Sequence, residues 1–371
     1  METRPTVMGN PVPSYEGDNL VNLLAELEIR LTGRSPTRGL RADLADLIPH
    51  KRNYVLLIND GLGARQLAHP GAGRLRRFQR AVLKAPFPTT TVVGLSSVAT
   101  AMAPMQHGLV GFTQWIPARQ RVVNMMFWED LEGNQVDYDP ASFLPTPNLW
   151  ERLAAAGINA VIIRPSRSLN DSPLSKMLYR GAQRHGYSSL ADVNPSALLD
   201  DTTRTLVVVY LSPVDGAAHR HGQQSVEHRK ALKETSGLWK RLTRSIPSET
   251  ALIGTADHGH CDIPQNGKNR LGTDFTQGMV YWGDGRVLMF RGPTDQIRLI
   301  AEQTSALYVD PDRLRKWLGG GDAHPALEEF PTAALLAAPG TVILPQHIYP
   351  HEVGHHGGIT PQELLIPLII A

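Results

Sequence analysis

Asp60, Asp215, His219, Asp257, His258, His355 and His356 are the side chains best suited to metal chemistry, and they fall in four widely separated stretches. Each stretch adjoins an apolar run. Tyr54–Ile58 precedes Asp60, Thr205–Leu211 precedes Asp215 and His219, and Ala251–Thr255 precedes Asp257 and His258. His355 and His356 lie in Gly354-His355-His356-Gly357-Gly358, near the apolar end of the chain. Buried parallel strands read as continuous apolar runs, and open α/β sheets gather their sites at the strands' carboxyl ends. Carboxylates and imidazoles delivered to such an edge form one centre on folding.

Spacing refines this. Asp215 and His219 are four residues apart, so on a helical turn both side chains share one face and can meet one ion; Asp215 is equally a plain helix cap. Asp60 sits in Asn59-Asp60-Gly61-Leu62-Gly63, which lacks the third glycine of a dinucleotide loop, leaving a cap or a ligand. Asp257 and His258 are neighbours and point opposite ways on a regular strand, so both reach one centre only on a turn, which Gly259 permits. His260 is expected in an outer position or at the surface. Of His355 and His356, one is expected as a ligand, with Gly357-Gly358 letting the backbone pass close. Mixed nitrogen and oxygen donors suit zinc best, then manganese or iron.

The run Phe87-Pro88-Thr89-Thr90-Thr91 adds hydroxyls ahead of a helical stretch. A hydroxyl at a helix N-terminus lies where backbone N–H groups and the helix dipole favour an anion. A metal beside it would make an alkoxide nucleophile, for which phosphorus is the natural electrophile.

Periodicity gives the scaffold for these groups. Asn19–Leu31 carries a helical stripe, and Gly73–Lys84 has helical spacing through Leu75, Phe78 and Val82. Leu95–Met102 reads as a short helix ending before Pro104, and Asn148–Ala156 as a helix closed by Gly157 before a strand over Ile158–Ile163. Gln223–Arg244 reads as a long helix, and Leu364–Ala371 as a terminal strand. Strands separated by helices predict an α/β fold, a mostly parallel sheet with helices on both faces. From Asp262 to Gln346 the pattern breaks into short pieces, with strands at Met279–Trp282 and Val287–Phe290 and helices at Gln296–Leu307 and Pro311–Leu318. The expected organisation is an N-terminal arm and helix over residues 1–50 and one domain over 51–371, with a lid insertion over 262–346.

The 37 basic and 35 acidic side chains leave a formal charge of +2 on 371 residues, which gives no support to a nucleic-acid or membrane-surface partner. One cysteine, Cys261, excludes an internal disulfide and reads as a small buried residue. The first residues lack an apolar stretch behind a basic start, and no apolar run approaches the roughly 18 residues of a membrane span, so the expected location is cytoplasmic. Oligomeric state is not legible.

Together Asn59-Asp60-Gly61, Phe87-Pro88-Thr89-Thr90-Thr91 with Ala103–Gly111 downstream, Asp215-x3-His219, Thr255-Ala256-Asp257-His258-Gly259 and His356-Gly357-Gly358 resemble the alkaline phosphatase superfamily. Within it they look most like the nucleotide pyrophosphatase/phosphodiesterase group. The resemblance implies an alkaline-phosphatase-like three-layer sandwich and two zinc sites. Asp215, His219 and His356 would hold one ion, and Asp60, Thr91, Asp257 and His258 the other. Thr91, three residues after Pro88, would attack phosphorus and form a covalent intermediate that water hydrolyses. Many relatives have an Asn three residues after the nucleophile, which helps bind a phosphoryl oxygen; here that position is Gly94. The implied activity is hydrolysis of a phosphodiester or nucleotide pyrophosphate bond in a small molecule. A phosphomonoesterase or phosphomutase on the same scaffold, or a non-catalytic metal-binding protein, are the alternatives. A sulfatase is disfavoured because the Thr run lacks the Cys or Ser context of its nucleophile.

Overall fold

Seven consecutive buried residues over Asn53–Asn59 (β1) require cover on both faces of the sheet that holds them. The computed structural model describes residues 6–7, 10–166, 172–200, 202–272, 276–345 and 351–371. Met1–Pro5 of the expected arm and Gln346 at the end of the expected lid lie outside them. The central sheet adds Gln79–Lys84 (β2), Asn159–Pro165 (β3), Gln183–Tyr187 (β4), Thr205–Leu211 (β5), Thr250–Thr255 (β6) and Leu365–Ile370 (β7). Their order is β2-β7-β6-β1-β5-β3-β4. β6, β1, β5, β3 and β4 pair in parallel, while β7 runs antiparallel to both β6 and β2. This is the mixed, mostly parallel sheet expected of an alkaline-phosphatase-like α/β fold.

The reversed direction of β7 matters for the site. Parallel strands send their C-terminal loops to one edge of the sheet, and an antiparallel strand has its N-terminal loop at that same edge. Asp60, Asp215, Asp257 and the Thr run come after their strands, and His356 comes before β7, so all five segments reach one side.

Leu20–Thr32 (α1) starts at Asn19, whose side chain accepts from the Val21 N–H, and ends at Gly33 with φ 85°. It packs with Thr91–Thr100 (α2) and Leu149–Ala155 (α3). Pro213–His221 (α4) packs with Val226–Ser245 (α5), whose Leu232, Leu238, Trp239 and Leu242 are buried. One continuous apolar cluster joins these helices to the sheet.

Two expectations change. Gly73–Lys84 is helical only over Gly73–Phe78, and its second half is β2. Val82, counted in the helical stripe, is 39% exposed, and the segment is held by β7, some 280 residues away. Long-range pairing overrides a local period that six residues cannot defend. α2 begins at Thr91 rather than Leu95, which puts the last threonine in its first turn.

Residues 262–345 carry Val280–Asp284, Val287–Arg291, Leu307–Val309 and Ala333–Leu336 as a four-stranded antiparallel sheet, with helices Thr294–Thr304 and Pro311–Trp317. One apolar cluster lies wholly within them, and a second joins them to Phe87, Met105, Val110, Trp115, Ile359 and Leu364. A three-stranded sheet over Thr113–Ile116, Arg121–Asn124 and Glu129–Asp130 packs beside it. Among the described residues no helix is long and apolar enough to cross a membrane.

Candidate metal centre

The threonine loop, residues 89–91, is held by contacts with the segment before β7. The Thr89 hydroxyl donates to the Gly358 carbonyl at 2.8 Å and accepts from the Gly357 N–H at 3.0 Å. Thr90 is buried, and its hydroxyl has no partner. Only Thr91 of the three turns its hydroxyl onto the donor cluster, 3.1 Å from His258 Nε2 and 3.5 Å from Asp60 Oδ1. The first helical hydrogen bond of α2 runs from Gly94 N–H to Thr90 C=O, so the N–H groups of Thr91, Val92 and Val93 precede it.

Gly94 therefore offers no free backbone donor. A Cβ there would stand 2.6 Å from the Cβ of Asp257, so the helix lies directly against the Asp257–His258 loop and leaves no room for an asparagine. Close packing against Asp257 accounts for the glycine at position 94. Gly259 is tighter still: a Cβ would meet the Gln362 carbonyl oxygen at 1.9 Å. That approach turns Asp257 and His258 into one centre, as their adjacency demanded.

The ligand candidates converge, with His355 set apart. His258 Nε2 is 3.3 Å from Asp60 Oδ1 and 3.7 Å from Asp257 Oδ2. His219 Nε2 is 3.1 Å from His356 Nε2 and 3.4 Å from Asp215 Oδ1. Two groups of donor atoms, Asp60-Asp257-His258 and Asp215-His258-His260-His356, each lie within 4.8 Å of one another. His219 is outside the second group at that limit but touches two of its members. His355 is buried and turns Nε2 to the Glu352 carbonyl at 3.2 Å, away from the cluster. Cys261 is half-buried, donates its thiol to the His355 carbonyl, and its strand pairs with Gly354–His355, tying the two histidine loops together.

Charge bears on what these donors can hold. Burial pushes Asp60 well above the usual carboxylate range, and Asp215 and Asp257 add to the shift. Burial also raises Asp257, and its Oδ2 has no hydrogen-bond partner. Burial raises Asp215 too, but His219, His260 and His258 outweigh it and hold the group low. His219 is desolvated, yet Asp215 and Glu352 carry it to about 9. Burial and the neighbouring imidazoles depress His356. Buried carboxylates that repel one another, beside imidazole nitrogens that face each other at 3.1 Å, fit divalent cations held by nitrogen and oxygen donors.

The sequence missed five groups. Tyr210 on β5 donates its hydroxyl to Asp60 Oδ2. Asp284 and Glu352 line the cavity of about 190 Å³ that also opens on Thr91, Phe112, Met126, His219 and His356. Arg286, fully buried, forms a two-pronged ion pair with Glu363, which also accepts from the Gly358 N–H at 2.8 Å. Glu352 stands just before the Gly354–Gly358 segment, while Tyr210, Arg286 and Glu363 are tied in through contacts far apart in the chain.

A family model described as type I phosphodiesterase / nucleotide pyrophosphatase matches residues 54–317. No curated protein matches the sequence. Among solved structures, murine ectonucleotide pyrophosphatase / phosphodiesterase 5 is 13% identical with TM-score 0.62, over 85% of this chain and 87% of that one. The same murine protein, as an inactive variant in complex with AMP, is 14% identical with TM-score 0.60, over 85% and 87%. Phosphonoacetate hydrolase from Sinorhizobium meliloti 1021, in complex with phosphonoacetate, is 14% identical with TM-score 0.62, over 87% and 91%. At these identities the likeness is one of fold.

Proposed function

The chain belongs to the type I phosphodiesterase / nucleotide pyrophosphatase family of the alkaline phosphatase superfamily, and from that premise we propose that it hydrolyses a phosphodiester or nucleotide pyrophosphate bond through a covalent intermediate on Thr91. The observation that carries the proposal is the place of the Thr91 hydroxyl: first turn of α2, 3.1 Å from His258 Nε2 and 3.5 Å from Asp60 Oδ1, on the wall of the cavity. Asp215, His219 and His356 would hold one divalent ion, and Asp60, Asp257 and His258, with Thr91, the other. Zinc suits these donors best. Bound there, the ions neutralise phosphoryl oxygens and lower the pKa of the hydroxyl.

The chain's own groups do the rest. Asp60 Oδ1 faces the Thr91 hydroxyl as its proton leaves, while Tyr210 holds the other carboxylate oxygen. The N–H groups of Thr91, Val92 and Val93 meet a phosphoryl oxygen where many relatives use a side-chain amide. Thr91 Oγ1 bonds to phosphorus as the bond to the leaving group breaks; water then cleaves the phosphothreonine and restores the hydroxyl.

A second reading is favoured by size. At about 190 Å³ the cavity is below the roughly 300–1,000 Å³ of common ligand pockets. A small phosphorus compound suits it, in keeping with the phosphonoacetate-bound structural neighbour. Turnover of bis-p-nitrophenyl phosphate, p-nitrophenyl phosphate, a nucleotide p-nitrophenyl ester and phosphonoacetate, each with and without chelator, separates the two. Chelator-sensitive turnover of the diester or nucleotide ester supports the first reading. Turnover of phosphonoacetate or the monoester alone selects the second, and turnover indifferent to chelator removes both.

A further inference from the structure

Four imidazoles crowd the centre, and their hydrogen bonds divide them into three and one. His219, His258 and His356 each turn Nδ1 to a backbone carbonyl: Gly354 at 2.9 Å, Gly259 at 3.1 Å and Thr89 at 2.9 Å. A carbonyl only accepts, so in the neutral ring the proton sits on Nδ1 and Nε2 carries the lone pair. This is the arrangement that metal-ligating histidines use, with the far nitrogen held by an acceptor.

His260 is wired the other way. Its Nε2 lies 2.7 Å from Asp215 Oδ1, and its Nδ1 is buried without a partner. The carboxylate only accepts, so Nε2 carries the proton and its lone pair is spent. We propose that His260 is a positioning residue for Asp215 and not a ligand: its Nε2–H occupies one lone pair of Asp215 Oδ1 and holds that oxygen facing His219 and His356, where its remaining lone pair can meet the ion they share. The proposal rests on the metal-centre reading above.

Distances support the same division. Ligand atoms about 2.1 Å from a tetrahedral ion stand about 3.4 Å from one another. His219 Nε2 is 3.1 Å from His356 Nε2 and 3.4 Å from Asp215 Oδ1, and His356 Nε2 is 3.9 Å from Asp215 Oδ1. The 2.7 Å between His260 and Asp215 is hydrogen-bond length, shorter than that ligand spacing. Three protein ligands also leave the open position that a catalytic ion needs, which a fourth would close.

The His260 ring is held for this task. It is fully buried, 4.5 Å from the His219 ring and 4.9 Å from the His356 ring, centroid to centroid. Its carbonyl accepts from Gln223 Nε2 at 3.0 Å, and Gln223 Oε1 accepts from Gln66 Nε2 at 2.9 Å. The backbone of the loop is thereby anchored at His260.

Two measurements test this. In metal-free protein, long-range proton–nitrogen correlation spectra report ring tautomers: the Nε2–H form is expected at His260 and the Nδ1–H form at His258 and His356, while His219, carried to about 9, is expected to hold both protons near neutral pH. An Nδ1–H form at His260 overturns the proposal whatever the metal content. Zinc affinity, by competition with a chromophoric chelator, is then compared across variants. His219→Ala is expected to lose one ion. His260→Ala is expected to keep two ions but bind one about 10–100-fold more weakly. His260→Gln, whose amide can still donate to Asp215, is expected to recover most of that loss. Loss of an ion from His260→Gln makes His260 a ligand, and unchanged affinity in His260→Ala makes it packing; either ends the proposal. Wild-type protein that binds no divalent ion removes the metal-centre reading, a failure separate from the tautomer result.

Discussion

Adjacent histidines in the C-terminal segment turn the same ring nitrogen to different partners. His356 turns Nε2 to His219 at 3.1 Å, while His355 turns Nε2 to the Glu352 carbonyl at 3.2 Å. His356→Ala is expected to lose one ion and most activity; His355→Ala is expected to retain both ions, with a loss of no more than about 10–100-fold, as for an outer group. Metal analysis of the two variants decides it, and a single-ion His355→Ala would reverse the assignment. Thr91→Ala is expected to fold and to lose several orders of magnitude in kcat, since no covalent route remains. Its neighbour's variant, Thr90→Ala, should stay active. The opposite pattern would mean that the unpartnered Thr90 hydroxyl is the nucleophile.

Between elements, the contact that sets the geometry is the buried Arg286–Glu363 pair. Arg286 lies between the strands Val280–Asp284 and Val287–Arg291, and Glu363 lies just before β7. Glu363 accepts from Gly358, Gly358 accepts from Thr89, and Thr89 accepts from His356 Nδ1. One chain of bonds thus joins the small sheet, the histidine loop and the nucleophile loop. Burial pushes the Glu363 carboxyl up, but Arg286, Thr360 and Gly358 hold it below its ordinary value of 4.5. With the folded pKa below the unfolded one, the pair's stabilisation is complete above about pH 4.5 and is lost as pH falls through the folded value. Glu363→Gln leaves a buried guanidinium without its counter-charge and is expected to cost about 3–5 kcal/mol. Chemical denaturation at pH 7 and pH 4 checks both points: the wild type should lose part of its advantage over the variant at the lower pH. Equal stability of the two proteins at pH 7 would show that the pair contributes nothing.

For the molecule as a whole, the cost of gathering Asp60, Asp215 and Asp257 in one buried place falls on stability until cations arrive. Ions that bind only the folded chain stabilise it by mass action, about 2.7 kcal/mol for each held at 100 times its Kd. Zinc is therefore expected to raise Tm and chelator to lower it, and the shift should shrink in His356→Ala, which keeps one site. Scanning calorimetry across zinc concentrations measures this. A Tm indifferent to zinc and chelator alike would be incompatible with two such sites.

The donor residues and their strand ends were legible because each apolar run is short, buried on both faces and ended at once by a polar break, so local sequence carries the signal. The helices begun at Asn19 and Asn148 were legible for the same reason, through caps at their own ends. The rest depended on long-range contacts. β2 became a strand only by pairing with β7, and residues 307–309 and 333–336 are too short to show a period. Gly94 has no asparagine because Asp257, far along the chain, occupies the space. Tyr210, Arg286 and Glu363 joined the centre through hydrogen bonds spanning 77 to 150 positions. His260 shows the limit most directly. Its sequence neighbours place it beside the metal ligands, but whether it lends a lone pair or a proton depends on the acceptor facing each ring nitrogen, and only the folded chain supplies those.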